Sequence, residues 1–209
     1  MKIITSLYDF LATNKIKERP FNNYILNILQ RDYVGFLTNG NSHILFRDVT
    51  NKNELSWIKY PITKDSRLNK VFYTIKQDPI DIFTEEDITI NLSEGVLDCL
   101  GVANHFNYMG SNTMNIAVGS NRYSGIILFL IKLGLVGDNI IINIFADNDE
   151  MFNKDKKRKN KIYPSSFSFL KANLKKYRPL FKKINLYHNI KQKDYGIEKK
   201  DIILKKETM

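Results

Sequence analysis

The chain has 209 residues, 43% of them apolar and 12% aromatic, with 32 Lys and Arg against 22 Asp and Glu, a formal charge of +10. Such a chain can bury a core and is no disordered tail, and its positive balance favours a polyanion partner, nucleic acid before a membrane surface. A single cysteine, Cys99, excludes an intramolecular disulfide and any zinc site built on three or four cysteines.

The opening MKIITSLYDFLATNK lacks the apolar core and cleavage site of a signal peptide, and no apolar run approaches a membrane span. A cytoplasmic protein with no membrane partner is expected. Ile3, Ile4, Leu7, Phe10, Leu11 and Ile16 recur at roughly helical spacing over residues 2–17, and Tyr24, Ile25, Ile28 and Leu29 over 22–31. The texture then changes to short aromatic and β-branched runs, YVGFLT, SHILFRDVT, ELSWIKYPI and KVFYTI, with TNGNS as a turn. These predict a small antiparallel sheet within a mixed α+β, basic lobe over residues 1–83.

From residue 84 the rhythm becomes strand, turn and helix in alternation. ITINL, MNIAVGS, NIIINIFA and KKINLYH read as strands, with helices through SEGVLDCLGVANHF, through SGIILFLIKLG and around 165–177. Apolar strands alternating with helices predict an α/β domain over 84–209, a parallel sheet flanked by helices. In such a sheet, ligands bind at the carboxyl ends of the strands. Ser93-Glu94-Gly95 follows the first strand with Asp98 one helical turn on, Gly119-Ser120 the second, and Asp147 and Asp149 the third. Glycine permits the tight turn that swings a carboxylate over the sheet edge, and aspartates at i and i+2 leaving a strand point to one side. Carboxylates converging there repel one another unless a divalent cation intervenes, and hard oxygen ligands suit Mg²⁺ or Mn²⁺. An isolated Asp-x-Asp is more often a solvated turn; here the conjunction of strand ends points to a metal site.

INLSEGVLDCL, NIAVGS and IFADNDE, in that order and at that approximate spacing, resemble the TOPRIM domain of topoisomerases, primases and related nucleases. The resemblance implies a TOPRIM-like fold, with Glu94, Asp147 and Asp149 at the family's catalytic and metal positions and Asp98 at its accessory acid. IKQKDYG stands where the primases have a Lys-Asp-Pro-like segment, which makes Asp194 a further candidate ligand. Upstream, LYDFLATNKI, YVGFLT and HILFRDVTN are similar to the basic lobe that precedes TOPRIM in bacterial-type and especially phage primases.

The function so implied is a phage-type DNA primase core that makes short RNA primers on single-stranded DNA from ribonucleoside triphosphates, in a bacterial or phage-infected cytoplasm. A TOPRIM nuclease and a non-catalytic nucleic-acid-binding replication subunit are the alternatives. The chain has no cysteine-rich zinc ribbon and no Gly-x-x-x-x-Gly-Lys-Ser/Thr loop. A helicase or a separate zinc-binding, template-selecting protein is therefore implied as partner.

Basic groups flank the expected site. Arg47 lies in FRD, with Lys59 nearby, and Lys154, Lys156, Lys157, Arg158, Lys159 and Lys161 follow the aspartates. Arginine on a short sheet can hold a template or triphosphate bidentately. The alternatives are a surface ion pair for Arg47 and a solvated insertion for the run. Trp57, Tyr60, Phe72 and Tyr73 either stack bases or form core, and His43, His105 and His188 have no metal-ligand spacing.

Overall fold

The computed structural model describes residues 84–108, 112–152 and 163–209 in full, and of the preceding chain the backbone of five strands. The chain divides into two units, Met1–Tyr73 and Thr74–Met209.

The first unit holds a four-stranded antiparallel sheet in the order β1 (Ile3–Ile4), β2 (Tyr33–Leu37), β3 (His43–Asp48), β4 (Trp57–Pro61). The short β-branched and aromatic runs thus pair as their composition predicts. One expectation is corrected. The helical period over 2–17 begins with a strand, since Ile3 and Ile4 pair with Phe36 and Gly35. Two adjacent β-branched residues suit an edge strand better than a helix start. The rest of that segment and residues 22–31 lie outside the described residues.

The second unit is built on a six-stranded sheet in the order β10-β9-β8-β6-β7-β5. Its elements are β5 (Tyr73–Ile75), β6 (Ile88–Ser93), α1 (Val96–His105), β7 (Thr113–Ala117), α2 (Tyr123–Lys132), β8 (Gly137–Phe145), α3 (Asp149–Phe152), α4 (Phe167–Leu174), β9 (Phe181–Asn189) and β10 (Leu204–Thr208). Strands β6 to β9 are mutually parallel, and β10 runs antiparallel to β9. The α/β class is as expected. KVFYTI, expected in the antiparallel sheet, instead supplies β5 at the edge of this one, and the unit boundary falls earlier than 83/84. The helix expected over 165–177 ends at Leu174 and tightens into a 3₁₀ turn over Lys175–Leu180, where Pro179 lacks the N–H that would continue it. Among the described residues no helix is long and apolar enough to cross a membrane.

The chain steps from β6 to β7 in one direction and from β7 to β8 and β9 in the other. Right-handed crossovers then put α1 on one face of the sheet and α2 and α4 on the other. Packing agrees for α1, whose Val102 joins Phe145, Tyr187 and Tyr195 in one cluster, with Phe106, just past its end, packed against it. The step reversal puts the switch point between the carboxyl ends of β6 and β8, where open α/β sheets bind ligands.

The face under α1 is partly polar. Asn91, Asn115, Asn143 and Asn185 lie opposite one another in register on β6, β7, β8 and β9, all buried. Their amides form one chain across the sheet. Asn185 donates to Asn143 at 2.8 Å, Asn143 to Asn91 at 2.9 Å, and Asn91 to Asn115 at 3.0 Å. Asn115 donates to the Tyr108 carbonyl, and Thr208 of β10 donates to Asn185 at the other end. A one-residue slip of any strand would move its asparagine to the Ile and Leu face, so the ladder specifies register.

Candidate metal centre

The acids stand where they do because of the α1 face. Counting by twos from Asn143 through Phe145, Asp147 continues that face beyond the end of β8. Asp98 lies in the first turn of α1, which covers it. Asp194 follows β9 on the loop that returns toward α1. Ligand atoms of Asp98, Asp147 and Asp194 lie within 4.8 Å of one another.

That loop is held by several contacts. Asp98 Oδ1 accepts the backbone N–H of Tyr195 at 2.8 Å and of Gly196 at 3.1 Å. The buried Asn189 amide donates to the Asp194 and Asp201 carbonyls and accepts from the Lys191 and Ile203 amides. The Tyr195 hydroxyl, inside the core, donates to the Ala146 and Tyr187 carbonyls. Glycine makes the approach possible: a Cβ at Gly101 would lie 2.1 Å from the Tyr195 carbonyl oxygen, and one at Gly95 would lie 2.6 Å from Asp98 Oδ2. Gly119, at φ 70°, turns the chain after β7 and donates to the Glu94 carbonyl.

Of the expected metal residues, Asp98, Asp147 and Asp194 form the close group, while Glu94 and Asp149 stand outside it. Asp149 does not prolong the strand direction, because it opens the short helix α3. It accepts from Ser165 Oγ at 3.1 Å and pairs with Lys193 Nζ at 3.1 Å. The same ammonium lies 3.4 Å from Asp147 Oδ2. Arg47 and Lys59 sit on β3 and β4 of the first unit, in register with Trp57 and Leu45. Lys154, Lys156, Lys157, Arg158, Lys159 and Lys161 lie outside the described residues.

The electrostatics are those of a crowded acidic edge. Asp147 is 7% exposed, and its Oδ1 is buried without a hydrogen-bond partner, as are Glu94 Oε2 and Ser93 Oγ. Burial, then repulsion from Asp98, Glu94 and Asp194, pushes the Asp147 carboxyl up to about 8 against the partial relief from Lys193. Burial, then Asp149, raises Glu94 to about 7, again opposed by Lys193. Burial acts to lower the Lys193 ammonium, but Asp147, Asp149 and Asp194 outweigh it, and its pKa is raised. Among the described residues, Lys193 alone does not neutralise the edge. A hard divalent cation fits what is left, since it satisfies buried oxygens and offsets repulsion together.

Lys193, Ser165 and Asn189 were not singled out from sequence. Lys193 directly precedes Asp194 in KQKDYG, and that adjacency was the available signal. A cleft of about 250 Å³ beside the start of α2, lined by Arg122, Ser124, Phe169 and Asn173 among others, contains none of the acids. No protein-family model matches the chain, and neither does any curated protein or solved structure.

Proposed function

We propose that the chain is a divalent-metal-dependent nucleotidyl transferase of TOPRIM type, the catalytic core of a phage-like DNA primase. The observation that carries the proposal is the convergence of Asp98, Asp147 and Asp194 at the sheet's switch point, with a buried Asp147 oxygen left unpartnered. The primase assignment within metal-dependent phosphoryl transfer comes from the sequence resemblance.

Asp98, Asp147 and Asp194 would hold Mg²⁺ or Mn²⁺. Bound there, the ion supplies Lewis-acid polarisation of phosphate oxygens and offsets charge that grows in the transition state. Glu94, its carboxyl raised to about 7, is poised to take a proton at neutral pH. In primer synthesis that proton leaves the 3′-hydroxyl as its oxygen attacks the α-phosphorus of a ribonucleoside triphosphate and pyrophosphate departs. Asp98 also holds the Tyr195-Gly196 backbone, so its carboxylate positions the loop that carries Asp194. Arg47, Lys59 and the basic run of 154–161 are proposed to contact the template or triphosphate, with a helicase or a zinc-binding protein selecting the template.

The test is incubation of the full chain with single-stranded DNA, labelled ribonucleotides and Mg²⁺ or Mn²⁺. Short RNA products are expected. Shortened DNA would replace primase by nuclease at the same site, and DNA binding with neither product would leave a non-catalytic subunit.

A further inference from the structure

Among the described residues, Lys193 is the cationic side chain paired with the acids of the proposed metal centre, and its placement bears on how many ions the site takes. Lys193 Nζ bridges Asp147 Oδ2 at 3.4 Å and Asp149 Oδ1 at 3.1 Å. We propose that this ammonium occupies the seat of a second cation, so that the centre takes one divalent ion rather than two. The proposal rests on the metal-dependent reading above and specifies its stoichiometry.

Both sides of the bridge are built. The Lys193 carbonyl accepts the Asn148 N–H at 3.2 Å, which ties the lysine backbone to the residue between the two aspartates. Asn189 fixes the neighbouring Asp194 carbonyl at 3.0 Å. On the other side, Ser165 Oγ donates to Asp149 Oδ2 at 3.1 Å, leaving Oδ1 toward the ammonium. The Lys193 backbone is thus set beside the two aspartates, and its side chain, 42% exposed, reaches both carboxylates from there.

The acids divide accordingly. Asp98, Asp147 and Asp194 form the group whose ligand atoms converge, and Asp149 is outside it. Asp147 belongs to both sets: Oδ2 meets the ammonium, and Oδ1 is buried without a hydrogen-bond partner. Two-metal sites hold their ions roughly 3.5–4 Å apart across a shared carboxylate. A second ion shared by Asp147 and Asp149 would have to displace Lys193 or endure its positive charge at contact distance. The ammonium instead takes over the second ion's electrostatic part. With three rotatable donors it can turn toward a phosphate oxygen of the bound nucleotide without leaving the carboxylates.

The experiment is a Mn²⁺ titration of the full chain, read by calorimetry and by electron paramagnetic resonance, on wild type, Lys193→Arg, Lys193→Met and Lys193→Gln. One ion per chain is expected for wild type and Lys193→Arg. Two are expected for Lys193→Met and Lys193→Gln, the second appearing as a spin-coupled pair. The two neutral variants guard against loss of fold in either, which circular dichroism detects. Two ions in wild type, or a single ion in the folded neutral variants, overturns the role of Lys193 and leaves the metal-dependent reading standing. No bound ion in wild type removes both.

Discussion

Midway along the parallel strands, Asn91, Asn115, Asn143 and Asn185 are buried, and each amide has both a donor and an acceptor partner. A few residues further along, at the carboxyl ends of the same strands, Asp147 and Glu94 each bury an oxygen that has no hydrogen-bond partner, and both carboxyls are raised by burial. One sheet thus treats buried polar groups in two ways. A fully connected polar network rigidifies a fold and selects its register, whereas unsatisfied groups destabilise it and mark a place for a ligand. The contrast in hydrogen bonding sets the register-fixing asparagines of this chain apart from the acids proposed to hold a metal ion.

The largest expected effect falls on the acidic edge. Asp147→Asn should cut metal-dependent turnover by more than the roughly 10–100-fold that loss of a mere supporting partner costs. The variant should stay folded. With one negative charge fewer, its metal-free form should melt higher at pH 8, at roughly 2–4 °C per kcal/mol for a chain of this length. A full-rate Asp147→Asn would return the acids to ordinary surface chemistry.

The ladder should respond in the opposite sense. Asn143→Leu orphans the Asn185 amide and the Asn91 carbonyl, each at about 1–3 kcal/mol, so unfolding by urea should show a loss of about 2–6 kcal/mol. Replacing all four asparagines by leucine or valine removes the ladder's own donors and acceptors together, leaving only the Tyr108 carbonyl and the Thr208 hydroxyl at its two ends to find other partners, and should recover much of that loss. A single substitution as harmless as the fourfold one would mean the ladder carries no register information.

The pH dependence sharpens the contrast further. Asp147 rises from an ordinary 3.8 to about 8 and Glu94 from 4.5 to about 7, so the folded state keeps protons that the unfolded chain has released. The associated stability is fully present below about pH 4 and is lost as pH rises through 7 to 8. Metal-free melting temperatures should therefore fall across that window, and Mn²⁺ should restore them with release of protons. Glu94→Gln should flatten part of the slope and retain metal binding while turnover drops by orders of magnitude. A flat metal-free profile would remove the electrostatic basis of the site.

The smallest effect tests the boundary between the two regions. Ser165→Ala removes one hydrogen bond to Asp149 and should cost about 0.5–1.5 kcal/mol. Because Asp149 lies outside the converging group, the affinity for the single Mn²⁺ should hardly change. A large drop would put Asp149 among the ligands of that ion.

Much of the second unit was legible locally. ITINLS, NIIINIF and the Val96–His105 helix are found where period and turn residues place them. LKKET was not read as a strand, since three of its five residues are charged and its pairing with the edge of β9 is not visible in its own sequence. KVFYTI was read as a strand but assigned to the wrong sheet, because a strand's own residues do not choose its neighbour.

The sequence by itself determined the strand–helix alternation and the positions of Glu94, Asp147 and Asp149 at strand ends, since each depends on residues within a few positions along the chain. Asp98, one helical turn past Glu94, was also legible locally, and the family resemblance added Asp194. Which acids meet was decided only in three dimensions. Asp147 joins Asp98 and Asp194 because strand parity sends it under α1 and because Asn189 and Asp98 fold the loop after β9 back over the sheet. Asp149, two residues from Asp147, leaves for Ser165 and Lys193 when α3 begins. Sequence spacing sets the direction of a side chain. Its partners are set by register and crossover, which involve strands up to about a hundred residues apart.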